Sequence, residues 1–218
     1  MARPKQSMDQ RLLDARIAID NSLESATIAD AVAILGYDQA RLQAARALYD
    51  EIIDLITVQK LEYGEQYEAT AALQVAWDTA DAAYRRTLKI SRIAFAGNDK
   101  ARNALRLDGS RKFSIGGWIE QTVIFYKAML ATPDFITIMT PYGYDVLKFE
   151  AEYALVQATI NAKTTQGIER GEAQHATKMR DAKVDELDRW LADYKVIAEV
   201  ALEESPQLLE QLGWVVPS

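Results

Sequence analysis

No proline falls between Asp38 and Gly97, and none between Asp145 and Glu204. Proline is the residue that a helix interior excludes most strongly, so two stretches of about 60 residues are free to run as single helices, each roughly 90 Å long at the usual rise per residue. Ala, Leu, Glu, Gln, Lys and Arg, all good helix formers, dominate both. In the first stretch Leu42, Leu48, Ile52, Leu55, Val58 and Leu61 recur at helical spacing, followed by Trp77, Ala80, Tyr84 and Leu88. In the second, Phe149, Tyr153, Val156 and Ile160 do so, then Leu187, Trp190, Leu191, Tyr194 and Ile197. This periodicity predicts amphipathic helices rather than strands. Helices of such length need lateral support, and the simplest source is each other, paired antiparallel.

The two stretches are related. Sliding the chain by 107 residues lays Gly36-Tyr37-Asp38 on Gly143-Tyr144-Asp145 and Gly64-Glu65 on Gly171-Glu172. Between Leu23 and Asp81 about 17 of about 59 positions are identical without a gap, against roughly 5 expected from biased helical composition. The helix punctuation follows the same offset. Ser7 meets Ser114, Ser25 meets Thr132, and Asn98 meets Ser205, each a residue type suited to an N-cap. The reading is a tandem duplication, with repeats over 1–107 and 108–218 integrated into one helical domain.

Each repeat reads as four helices. The first spans about 7–24 or 114–131, and a short second about 26–35 or 133–140, the latter with Pro133 at the first helical position. Gly36 and Gly143 end the second helix, and Asp38 and Asp145 cap the long third. A last short helix starts at Asn98 or Ser205. The expected fold is all-α: an elongated helical bundle with two long antiparallel helices and a pseudo-twofold internal repeat. Gly64 and Gly171 fall near the midpoints of the long helices, where glycine permits either close backbone approach or a bend. A second layout folds each repeat into its own bundle, joined near Asp108-Gly109.

Composition removes several classes of function. The chain has no cysteine, so it has no disulfide framework, zinc-thiolate site or cysteine nucleophile. It has a single histidine, and no phosphate-binding glycine loop, Ser-His-Asp set or dinucleotide fingerprint. The start, MARPKQSMDQRLL, lacks the apolar core of a signal peptide. No apolar run is long enough for a membrane span. The expectation is a cytoplasmic, non-enzymatic protein without a cofactor. A net charge of -7 argues against broad nucleic-acid binding.

Two groups of residues carry chemistry. Glu172-Ala-Gln-His175 has the Glu-x-x-His spacing that places two metal ligands on one helix face. Its repeat partner is Glu65-Gln-Tyr-Glu68. Antiparallel pairing would gather Glu62, Glu65, Glu68, Glu169, Glu172 and His175 at a polar waist able to hold iron or manganese. The candidate metal ligands are thus Glu65, Glu68, Glu172 and His175. A solvated polar stretch explains the same residues, since the usual site has two Glu-x-x-His motifs.

The second group is basic. From Arg85 to Lys112 nine Lys or Arg stand against two Asp, a local charge of +7 in a chain of -7, which leaves -14 elsewhere. Such asymmetry marks an anionic partner, with Arg102, Arg106, Arg111 and Lys112 as its candidate contacts. The competing explanation is that Arg85, Arg86, Lys89 and Arg92 complement the dipole at a helix C-terminus. Trp77, Trp118, Trp190, Tyr84 and Tyr194 read as core anchors. Asp78, Asp81, Asp185 and Asp188 read as solvated.

The stretch from Arg111 to Gln121, RKFSIGGWIEQ, and the ending from Pro206 to Gly213, PQLLEQLG, resemble a bacterial family of uncharacterised, duplicated helical proteins. The likeness implies an all-helical fold and a bacterial cytoplasmic source, and brings no activity and no site residues. The leading expectation is therefore a scaffold or interaction protein that binds a protein partner or a second copy of itself. The alternative is a metal- or small-ligand-binding bundle that uses the waist carboxylates.

Overall fold

A computed structural model describes residues 6–215; most of the basic start, 1–5, and the last three residues lie outside the described residues. The described residues are helical, without a strand. Eight α-helices follow in order: α1 (Met8–Glu24), α2 (Ala26–Ala33), α3 (Gln39–Ala94), α4 (Asp99–Ala104), α5 (Ile115–Leu130), α6 (Pro133–Met139), α7 (Val146–Ala201) and α8 (Leu208–Gln211). A turn of 3-10 helix, Thr140–Tyr142, extends α6.

The ends of these helices follow local chemistry. Ser7, Asn98 and Ser114 each accept a hydrogen bond from the backbone N–H three residues on. Gly36 and Gly143 have φ of +84° and +76°, the left-handed conformation that closes a helix. In each case the following tyrosine N–H reaches back five residues, Tyr37 to Val32 O at 3.1 Å and Tyr144 to Met139 O at 3.4 Å. Asp38 then caps α3 through the Arg41 N–H, and Asp145 caps α7 through the Lys148 N–H, both at 2.9 Å. Arg41 and Lys148 finish the two corners alike. Each bonds the glycine carbonyl and lies over the tyrosine ring, 3.8 and 3.7 Å from its centroid. Two expected caps differ. Thr132 makes no side-chain cap bond, and α8 begins at Leu208 rather than beside Ser205. Residues 202–207 form turns, with the Ser205 carbonyl accepting the Leu208 N–H, before the four-residue helix.

Helix continues without interruption through Gly64 and Gly171. Both are exposed, and a Cβ added at either would meet nothing within 4 Å. Neither glycine serves close packing, which corrects one of the two roles expected for them.

Between 39 and 80 of α3 a continuous series of buried and half-buried positions runs 42, 45, 49, 52, 56, 59, 62, 66, 69, 73, 76, 80, with 46, 48, 55 and 77 half-buried beside it. Steps of three and four average close to 3.5, so a narrow seam faces inward. The seam takes in Ala45, Tyr49 and Gln59 and leaves Val58 and Leu61 44% and 64% exposed, against expectation. A helix can turn only one stripe inward, and at positions 59 and 62 that stripe is polar.

The chain forms two compact units, 1–62 with 172–218, and 63–171, which cut across the repeats read from the sequence. In the first unit the start of α3 lies antiparallel to the end of α7. Glu51 pairs with Lys183 at 3.0 Å, and Gln59 donates to Thr177 at 3.1 Å. Arg180 donates to Gln59 Oε1 at 2.5 Å, so the polar seam position is satisfied. α1 and α2 bury Ile19, Ile28 and Val32 completely. Tyr37, Trp190 and Tyr194 pack as an aromatic group, onto which Leu212 and Trp214 close.

The second unit joins the end of α3 to the start of α7, also antiparallel, with α4, α5 and α6. Its core holds Tyr84, Phe95, Trp118, Phe125, Tyr126 and Phe149, each no more than 1% exposed. Edge-to-face contacts link Tyr84 to Phe125 and Phe95 to Phe135, the geometry aromatic quadrupoles favour.

Candidate functional site

The four sequence-derived metal ligands are all exposed. Glu65 and Glu68 stand on α3 in the second unit, and Glu172 and His175 on α7 in the first. Within the second unit the Glu65 carboxylate approaches that of Glu169 to within 4.8 Å. Glu68, Glu172 and His175 join no cluster of candidate metal ligands among the described residues.

Several of the basic residues are engaged within the second unit. Arg102 pairs with Asp108, and Arg106 with Glu120 at 3.4 Å. Arg106 has φ of +48°, in the left-handed region that L side chains rarely adopt. Arg92, near the end of α3, donates to the Leu107 carbonyl at 2.9 Å and the Gly109 carbonyl at 3.3 Å, and so ties down the connection between α4 and α5. Arg111 reaches Asp81 at 3.2 Å. The Lys112 ammonium has no acidic partner among the described residues, although the Lys112 N–H donates to Gln121 Oε1 at 3.0 Å.

Asp81 is the centre of this region. Its side chain is 13% exposed rather than solvated. Oδ1 accepts the Trp118 indole N–H at 2.8 Å and Arg111 at 3.2 Å, while Oδ2 takes Arg85 at 2.5 Å. One carboxylate therefore serves two guanidinium groups and an indole. Its counterpart Asp188, in the first unit, binds Arg11 in place of an indole.

Beside Asp81 opens a cleft of about 210 Å³, lined by Gln74, Trp77, Asp78, Asp81, Arg85, Arg111, Lys112, Phe113 and Trp118. Trp77 meets Trp118 edge to face, centroids 6.2 Å apart. Trp118 is buried, whereas Phe113 is 81% exposed. The exposure of Phe113 is imposed by its neighbours. Arg111 is held by Asp81, the Lys112 N–H by Gln121, and Ser114 caps α5 through the Gly117 N–H. A Cβ at Gly117 would come within 3.0 Å of Lys112 Cβ, so this glycine lets the segment 111–113 lie close over the start of α5.

A second polar group lies inside the same unit. Glu152, 9% exposed, accepts Thr87 Oγ1 at 2.6 Å and Tyr126 OH at 3.0 Å on one oxygen. Burial pushes the Glu152 carboxyl above its ordinary range, and the two hydroxyl donors pull it partly back. Burial and the adjacent Glu152 charge raise the Tyr126 phenol, and burial pushes Tyr84 up to about 12. Glu152 thus joins α7 to α3 through Thr87 and to α5 through Tyr126, inside the unit.

Sequence reasoning named Arg111 and Lys112 for their charge and Trp77 and Trp118 as core. It missed Phe113 and Asp81 as parts of one surface. The available signal was an aromatic residue beside two cations, just ahead of a serine cap. No protein-family model, curated protein or solved structure matches the chain. Among the described residues no single helix is long and apolar enough to cross a membrane.

Proposed function

We propose that this chain is a non-enzymatic interaction protein, a helical scaffold derived from one duplicated unit that presents a docking surface to another polypeptide. The observation that carries the reading is Phe113, a large apolar side chain held outward at 81% exposure beside two tryptophans and two arginines. Aromatic and arginine side chains dominate the binding energy of protein interfaces, and an aromatic group fixed in the open is preorganised for such use. The surface fits a duplication whose copies have diverged. The 107-residue offset puts Gln6, Arg11 and Val184 where Phe113, Trp118 and Trp77 stand, so only one copy has the aromatic set.

The test is affinity capture from source cells with the wild-type chain and with Phe113→Ala, alongside light scattering for self-association. A partner, or a second copy, held by the wild type and lost by the variant supports the reading. Capture that ignores Phe113, together with a monomer at all concentrations, overturns it.

A further inference from the structure

The cleft beside Phe113 has a charge and a shape that select its occupant. Arg85 and Arg111 share the single carboxylate of Asp81, and the Lys112 ammonium is without an acidic partner among the described residues. A guanidinium has five donors, and one carboxylate shared between two of them cannot satisfy both. Asp78, also on the rim, is the only other acid in the lining, so cations outnumber acids there. The apolar wall is Phe113 with the half-buried face of Trp77. An open cleft of about 210 Å³ does not enclose a small molecule, since ligand sites of that kind are deeper and bury most of the ligand.

We infer that this cleft docks an acidic segment of a partner protein, with an aromatic or aliphatic side chain laid against Phe113 and Trp77 and a neighbouring carboxylate held by Arg85 and Lys112. The inference rests on the interaction-protein reading and adds the chemistry of the partner. Charge complementarity decides between polypeptides: a basic segment meets repulsion at the cleft, and an acidic one does not. Charge-assisted hydrogen bonds from the cations are the stronger kind, and the aromatic contact supplies the area they lack.

The chain has four tryptophans, which gives a direct readout in the indole N–H signals of a 1H–15N NMR spectrum. Three blocked tripeptides serve as probes: Glu-Phe-Glu, Gln-Phe-Gln and Lys-Phe-Lys, each acetylated and amidated. Glu-Phe-Glu is expected to shift the Trp77 and Trp118 indole signals and leave those of Trp190 and Trp214 in place. Gln-Phe-Gln is expected to bind about tenfold more weakly, and Lys-Phe-Lys not measurably. Lys112→Glu and Phe113→Ala, both at exposed positions, are each expected to weaken Glu-Phe-Glu about tenfold. N-acetylphenylalanine, a free aromatic acid, separates the sources; binding as tight as that of Glu-Phe-Glu would overturn the polypeptide assignment. Equal binding of all three peptides, or no shift of Trp77 and Trp118, overturns the inference. If partner capture or self-association still depends on Phe113, the interaction reading survives that failure; if capture ignores Phe113 and the chain stays monomeric, both fall.

Discussion

The indole Nε1 of Trp118 donates to Asp81 Oδ1 at 2.8 Å, joining α5 to α3 across 37 residues of sequence. Arg111 and Arg85 complete the shell of that carboxylate. Asp81→Ala leaves an enclosed indole N–H and a mostly buried guanidinium without their acceptor. The expected cost is about 2–4 kcal/mol in urea or guanidinium unfolding. Asp81→Asn keeps one acceptor and loses the charge, so it is expected to fall between wild type and Ala. An Ala variant within about 0.5 kcal/mol of wild type would contradict the role given to Asp81.

Glu152 sets a pH dependence. Its folded-state pKa lies above the unfolded value because burial penalises the charged carboxylate. The native state therefore binds more protons than the unfolded state as pH rises through the window between those values, and stability declines across it. The benefit of the neutral carboxyl is complete below the unfolded pKa, about 4.3, and is gone above the raised folded value. Glu152→Gln keeps acceptors for Thr87 and Tyr126 and cannot titrate. Subtracting its stability profile from that of wild type is expected to isolate a downward slope with rising pH; a flat or rising difference would refute it.

The glycines divide into two kinds. Gly36 and Gly143 hold positive φ, so alanine at either is expected to destabilise by about 1 kcal/mol. Gly64 and Gly171 lie in exposed helix with open space around the missing Cβ. Alanine there is expected to stabilise by about 0.5–1 kcal/mol, through helix propensity and a less free unfolded chain. Thermal melting of the four variants checks both signs. Loss of stability at Gly64 or Gly171 would mean that one of them has a packing role.

The waist carboxylates have a direct assay. Protein purified without chelators is expected to carry no stoichiometric iron or manganese by elemental analysis, because exposed Glu68, Glu172 and His175 join no ligand cluster among the described residues. A stoichiometric metal lost on Glu65→Ala or His175→Ala would reverse this and favour the ion-binding alternative.

Helix boundaries were legible in the sequence because caps and stops are local. Ser7, Ser114, Asp38 and Asp145 act on backbone groups three residues away, and Gly36 and Gly143 act through their own φ. The length of α3 and α7 was legible too, since the absence of proline is a property of each stretch alone. Which stripe of α3 turns inward was only partly legible: Leu42 and Ile52 are buried as read, but the seam continues through Ala45, Tyr49 and Gln59 rather than Val58 and Leu61. Ala and Gln carry little hydrophobic signal, and Ala45 is buried and Gln59 half-buried because their neighbours on the seam face inward.

The cleft was not legible at all. Asp81 looks like any polar residue on a helix surface until Trp118 and Arg111, 37 and 30 positions later, fold onto it. Its burial and the outward pose of Phe113 come from contacts between α3, α5 and the segment that precedes α5. The sequence by itself settled what each short stretch does to its own backbone. The tertiary structure decided which charges are shared and which aromatic ring stays in water, because those outcomes depend on groups that only packing brings together.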